Sequence, residues 1–208
     1  MPKQTQNFLL KVSLVGSMPK IWRELIVPSN ATFFALHVWL QDAMGWTDSH
    51  LHQFHTTNPY GRGNRGLIIS YPYPEMEEDE EMIDERKEKL STWFTEPKKK
   101  VWYEYDFGDG WIHEIVLKKI LPVEKGARVP RVVAGARACP PEDCGGIGGY
   151  GHLLTAIADP KHPDHQDLTE WLEAIGAAPH DPEEFNPDMI PLLDPKERLR
   201  EFEEGFGT

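Results

Sequence analysis

FLLKVSLVGSMPKIWRELIVPSNATFFALHVWLQDAMG, residues 8–45, is the stretch that decides the fold. Phe8 to Val15 is rich in β-branched and large apolar side chains and reads as a strand. Gly16-Ser17-Met18-Pro19 reads as a turn. Ile21 to Val27 alternates apolar with polar, so the two runs predict a hairpin. Pro28-Ser29-Asn30 ends it. Thr32 is placed as an N-cap for a helix running to about Met44. Phe33, Leu36, Leu40 and Met44 recur at helical spacing along it, and Gly45 suits the position after its end.

Working outward, Leu51 to Thr57 predicts a third strand and residues 58–66, rich in Gly and Asn, a loop. Residues 72–89 are strongly charged, and Glu85 with Lys89 at i,i+4 suits a short exposed helix. Val101 to Asp106 and Trp111 to Leu121 flank Phe107-Gly108-Asp109-Gly110, a strong hairpin signal. Arg128 to Ala138 is read as extended, and residues 139–151 as a loop dense in Pro and Gly. A helix is expected from His152 to Ala158, another capped by Asp164 or Asp167, and a last one from Pro195 to Glu204. The order predicts an α+β fold, a β-grasp-like mixed sheet wrapping one main helix, with additional C-terminal helices. It is read as a single domain over 1–208, with an acidic insertion at 74–90 and a Pro-rich acidic tail at 177–208 that packs on the domain or trails from it.

The 208 residues carry 34 Asp and Glu against 22 Lys and Arg, a formal net charge of −12. That opposes unaided binding to a phosphate backbone and favours solubility, or a basic or cationic partner, with protein the expected partner class. No apolar run approaches the roughly 20 residues of a membrane span, and Met1 to Lys11 lacks the pattern of a secretory signal. Two cysteines, Cys139 and Cys144, make no disulfide framework, so a cytoplasmic location with reduced thiols is expected.

Several stretches resemble a known family. They are Pro19-Lys20-Ile21-Trp22-Arg23, Leu36-His37, Gly45-Trp46 with His50-Leu51, Tyr103 to Asp109 (YEYDFGD) with Trp111 and His113, and Cys139 to Gly146 (CPPEDCGG). Together they resemble the Ri-plasmid ORF-three-like family, also labelled insertion-element passenger or TnpR-like, from Phe8 to about Pro191. The resemblance implies a protein of unknown function whose label reflects a plasmid and mobile-element setting. It carries over no catalytic residues, and the basic segment that a recombinase needs is not apparent in this chain.

Four constellations carry candidate chemistry. The first is Asp106, Asp109 and His113. With Asp109-Gly110 at the centre of a two-residue turn, Asp106 faces His113; with the turn on Gly108-Asp109, Glu104 faces His113 instead. A carboxylate against an imidazole can orient it, raise its pKa or share a metal with it; the alternative is a structural pair or an Asp satisfying turn amides. The second is Cys139 and Cys144, which could ligate zinc with His152, His162 or His165, or simply close a tight loop. The third is GGIGGYG, residues 145–151. Gly146, Gly148 and Gly151 match the dinucleotide fingerprint by letter, but CPPED precedes them instead of a buried strand, so no cofactor is assigned. The fourth is His50 and His52, expected on one face of a strand, with His55 on the other.

Three functions compete. A protein-interaction module ranks first, since no nucleophile–base signature such as G-x-S-x-G is visible. A metal-dependent, hydrolase-like enzyme using the Asp106, Asp109 and His113 hairpin or the Cys139–Cys144 loop ranks second. A nucleic-acid-associated factor ranks third; it needs a basic face built from Lys98, Lys99, Lys100, Lys118, Lys119, Arg128 and Arg131.

Overall fold

β1 (Gln6–Leu14) and β2 (Trp22–Pro28) pair antiparallel, with Ser13 opposite Trp22 and Asn7 opposite Pro28, which is the hairpin expected from the sequence. The structure, a computed structural model, describes residues 6–62, 66–73 and 82–205. α1 (Phe33–Met44) follows with Thr32 as N-cap, its hydroxyl accepting from the Ala35 amide, and Gly45 closes the helix in the left-handed region at φ 78°. Every residue of α1 except Asp42 is buried. A helix apolar on nearly all sides belongs inside a fold, covered on more than one face.

β3 (His52–His55), β4 (Ile68–Ser70), β5 (Met82–Asp84), β6 (Lys100–Tyr105), β7 (Trp111–Pro122) and β8 (Arg131–Ala136) complete one eight-stranded sheet, ordered β5-β4-β3-β6-β7-β1-β2-β8. The sheet is mixed: β4 and β5 run parallel, and the other described pairs run antiparallel. Its core face is written with period two. Val101, Tyr103 and Tyr105 on β6 meet Trp111, His113, Ile115 and Leu117 on β7, all buried. α2 (Leu90–Trp93), α3 (Gly146–Ala158), α4 (His165–Ala174) and α5 (Pro195–Gly205) make the chain α+β.

Two expectations are corrected. Residues 74–81 of the acidic insertion lie outside the described residues, but its remainder is no exposed helix. Met82–Asp84 is a strand, and Glu85 is fully buried in the turn after it. The reason is a backbone need: the carbonyls of Glu85 and Glu88 accept from the Phe34 and Phe33 amides, two of the unpaired donors at the start of α1. α3 begins inside the GGIGGYG run, six residues before His152, because tight packing overrides the low helix propensity of glycine. A Cβ on Gly146 would lie 2.4 Å from the Asp109 carbonyl oxygen, and one on Gly149 would lie 1.9 Å from that of Cys144. These glycines seat a helix against two loops. The tail packs on the domain: Trp39 Nε1 donates to the Leu193 carbonyl, and the Phe185 ring covers the buried Arg23 guanidinium at 4.4 Å.

Candidate functional site

Beyond Gly45 the chain runs Trp46-Thr47-Asp48-Ser49-His50-Leu51-His52 before entering β3. Asp48 takes a left-handed conformation at φ 60°, which aspartate tolerates better than most residues. That twist turns its carboxylate back under α1, towards His37 on the helix. His52, the first residue of β3, points to the core face, where Glu85 arrives from the turn after β5.

Four buried side chains meet there. His37 Nε2 lies 3.0 Å from Asp48 Oδ1, and His52 Nε2 lies 2.9 Å from Glu85 Oε2. The side chains of His37, Asp48, His52 and Glu85 are 1, 4, 1 and 0 % exposed. The two imidazoles stack face to face, with centroids 3.4 Å apart and planes 3° from parallel. One ligand atom each from His37, Asp48 and His52 falls within 4.8 Å of the other two. In a tetrahedral zinc site with bonds near 2 Å, neighbouring ligand atoms are about 3.3 Å apart. His37, Asp48 and His52 therefore approach coordination distance of one another, and Glu85 joins them through His52.

Further groups hold the quartet in place. His37 Nδ1 is 2.8 Å from the Tyr103 hydroxyl, to which Gln41 Nε2 also donates at 2.8 Å. Gln41 Oε1 accepts from the Asp48 amide. Arg198, on α5, approaches Asp48 Oδ2 at 3.2 Å and donates to the Thr47 carbonyl. Bonds of this kind fix the orientation of metal ligands. Burial, followed by the charge of His52, lowers the pKa of His37. Burial pushes the Asp48 carboxyl up, but the hydrogen bond and charge of His37, with His52 and Arg198, outweigh it and hold the group below its ordinary value. Burial keeps the Tyr103 phenol protonated far above its usual range.

A second cluster faces solvent. His50 Nε2 lies 3.2 Å from Asp143 Oδ1 and 3.8 Å from Asp106 Oδ2. Asp106 and Asp143 both adopt left-handed conformations, at φ 55° and 58°. Glu142 beside them accepts from the Tyr105 hydroxyl and from the Thr47 amide. Two segments remote in sequence, 46–50 and 139–144, are thus stitched together, with Trp46 Nε1 donating to the Pro140 carbonyl.

The structure separates the expected Asp106, Asp109 and His113 trio. Both proposed registers fail, because Tyr103 faces His113 and Tyr105 faces Trp111. The turn is longer than two residues: Asp106 Oδ1 accepts from the Gly108 and Asp109 amides, and the Gly110 amide donates to the Asp106 carbonyl. Asp109 Oδ2 accepts from the Gly145 amide. His113 sits on the core face beside Trp46 and Tyr103. Burial lowers its pKa to about 4. The folded form holds a neutral ring, while the unfolded chain takes up a proton below about pH 6.5. Stability is therefore full above that pH and falls on acidification until about pH 4, by up to about 3 kcal/mol at 1.4 kcal/mol per unit. Urea titrations between pH 7 and pH 4 should show this loss in the wild type, and a flatter profile in His113→Leu.

The cysteines do not gather the expected zinc set. Cys139 Sγ lies 2.9 Å from Met44 Sδ and accepts from Arg23 Nη2. Burial pushes its thiol up to about 11 and that of Cys144 to about 12. Both are free, and neither belongs to a group of three ligand atoms within 4.8 Å among the described residues. His152 and His162 do meet, but around Asp164 on the surface, while His165 Nδ1 approaches the Ala156 carbonyl. His50 and His52 diverge, because β3 starts only at His52; His55 pairs outward with Glu104 at 2.7 Å. Of the basic residues, Lys99 pairs with Glu96 and Lys100 with Glu114.

Sequence reasoning missed His37, Asp48 and Glu85 as site residues. His37 stood inside an apolar helix stripe and Glu85 inside a charged run. Their one available signal was a histidine where α1 otherwise turns apolar residues inward.

An α+β protein with one buried helix, and a histidine–carboxylate centre between that helix and its sheet, is the class that this geometry defines. The chain belongs to the plasmid pRiA4b ORF-3-like family, whose sequence profile matches residues 6–189. All four residues of the centre lie inside that range, and Arg198 lies beyond it. The chain is similar to the uncharacterized protein y4hQ of Sinorhizobium fredii (strain NBRC 101917 / NGR234), 36 % identical over 163 residues, 78 % of each chain. It is also similar to a crystal structure of a protein of unknown function, MM3350 from Methanosarcina mazei Go1. That match has a TM-score of 0.76 at 36 % identity and covers 91 % of this chain and 99 % of the other. No helix among the described residues is long and apolar enough to cross a membrane.

Proposed function

We propose that this protein is a metal-stabilised interaction module, with a divalent first-row ion, zinc in the first instance, bound by His37, Asp48 and His52, with Glu85, which lies against His52, as the fourth ligand. The convergence of three buried ligand atoms, from His37, Asp48 and His52, within 4.8 Å of one another carries the reading. Two protonated rings 3.4 Å apart would repel by about 5 kcal/mol at an effective dielectric near 20. A divalent ion leaves both rings neutral and matches the charge of the two carboxylates. Two nitrogens and two oxygens suit zinc or a neighbouring first-row ion. Four protein ligands without an open position are the mark of a structural site. In this reading the ion pins α1, the 45–52 segment and the turn at Glu85 to a β-grasp-like sheet. The net charge of −12 favours a basic protein as partner, and two free thiols fit a cytoplasmic setting.

The surface cluster favours a second reading. His50, Asp106 and Asp143 offer three ligand atoms within 4.8 Å at the surface, which leaves positions open for water and a hydrolysable substrate. Elemental analysis of untagged protein purified without chelator separates the two. The buried centre predicts about one zinc per chain in the wild type, loss in His52→Ala, and retention in both Asp143→Asn and Cys139→Ser/Cys144→Ser. Loss in Asp143→Asn alone would move the metal to the surface cluster.

A further inference from the structure

The buried centre needs a route for its ion, since its four side chains are almost wholly enclosed. Most of the enclosure cannot move on its own. α1 is buried on nearly every side, and β3 and β6 are interior strands of the sheet. The turn at Glu85 is tied by its backbone to Ser70 and to the start of α1.

The C-terminal segment differs. It is the last element of the described chain, and it packs over α1 with Leu199 and Phe202 partly buried against the core. Leu193 accepts from Trp39 Nε1 and donates its amide to Asp42. Phe202 packs edge-on to Tyr71, with ring centroids 4.8 Å apart. Arg86 approaches Glu203 at 3.6 Å. Arg198 reaches past the helix surface to Asp48 Oδ2, the oxygen that His37 does not use. Its side chain is 30 % exposed, so this one residue bridges solvent and the ligand shell. Among the described residues α5 pairs with no strand, so lifting it leaves the sheet intact.

We propose that α5 is the gate of the metal centre and that Arg198 is its latch, a positioning residue that holds the Asp48 carboxylate towards the ion while the helix is down. This rests on the metal reading above and adds its regulation. With the latch closed, Asp48 Oδ1 faces His37 and the ion is retained. With α5 lifted, Asp48 loses its outer partner and the site opens beside Thr47.

The test is the rate at which zinc-loaded, full-length protein gives up zinc to 4-(2-pyridylazo)resorcinol, followed by absorbance. Arg198→Ala should hold zinc at the wild-type stoichiometry and release it about tenfold faster or more, the scale on which outer-shell contacts act. Phe202→Ala, which loosens the same helix elsewhere, should also release it faster. Arg200→Ala, whose side chain is 70 % exposed and pairs within the helix to Glu197, should match the wild type. Wild-type release rates in both Arg198→Ala and Phe202→Ala, with zinc bound, would overturn the gate and leave the metal reading standing. A wild-type protein that takes up no zinc would overturn both.

Discussion

Added zinc should raise the unfolding midpoint of the chelator-stripped wild type by roughly 10 °C and leave that of His52→Ala unchanged. A ligand present at a thousand times its Kd stabilises the folded state by about 4 kcal/mol, and a domain of this size gains about 2–4 °C per kcal/mol. His52→Ala also carries a cost that no ion repairs. It strips Glu85, which is fully buried, of its partner, and breaking one side of a buried pair costs about 3–5 kcal/mol. Calorimetry should therefore place the variant below even the stripped wild type. Glu85→Gln, a change of shape too small to disturb packing, should show the same indifference to zinc and so separates ion binding from folding. A zinc-dependent rise of wild-type size in both variants would exclude these ligands.

The second large effect lies in the glycine run. Gly149→Ala would set a methyl carbon 1.9 Å from the Cys144 carbonyl oxygen, an obstacle of backbone that no rotamer relieves. The start of α3 must shift, at a cost on the order of 3 kcal/mol. Gly148 and Gly151 have no atom within 4 Å of an added Cβ, and both lie in helix. Alanine there should stabilise by about 0.5–1 kcal/mol through helix propensity. Chemical denaturation of the three variants distinguishes the packing role from the phosphate-binding pattern, in which Gly146, Gly148 and Gly151 would be the intolerant positions.

The fold was legible where local signals agree with burial. The β1–β2 hairpin, the Thr32 and Gly45 caps and the antiparallel β6–β7 pair follow from patterning alone, and α1 keeps the expected ends. The register of β6 and β7 was not legible, because Asp106 adopts a left-handed conformation and caps the turn amides with its own carboxylate. Asp-Gly then no longer defines a two-residue turn, and a shift of register changes which side chains face each other. The centre was hidden for a related reason. His37, Asp48, His52 and Glu85 come from a helix, a loop, a strand and a charged run, and only the placement of β3 beside β6, with the turn at Glu85 against α1, brings them together. The family resemblance, by contrast, was carried by contiguous motifs, and the matched range of 6–189 agrees with it closely.

X-ray absorption at the zinc edge of the untagged wild-type protein reads the ligand shell itself. The buried centre should give a first shell of four nitrogen and oxygen atoms near 2.0–2.1 Å, with outer scattering from two imidazoles and no sulfur. A sulfur shell near 2.3 Å would place the metal on Cys139 or Cys144 and contradict the assignment to the buried histidine–carboxylate centre.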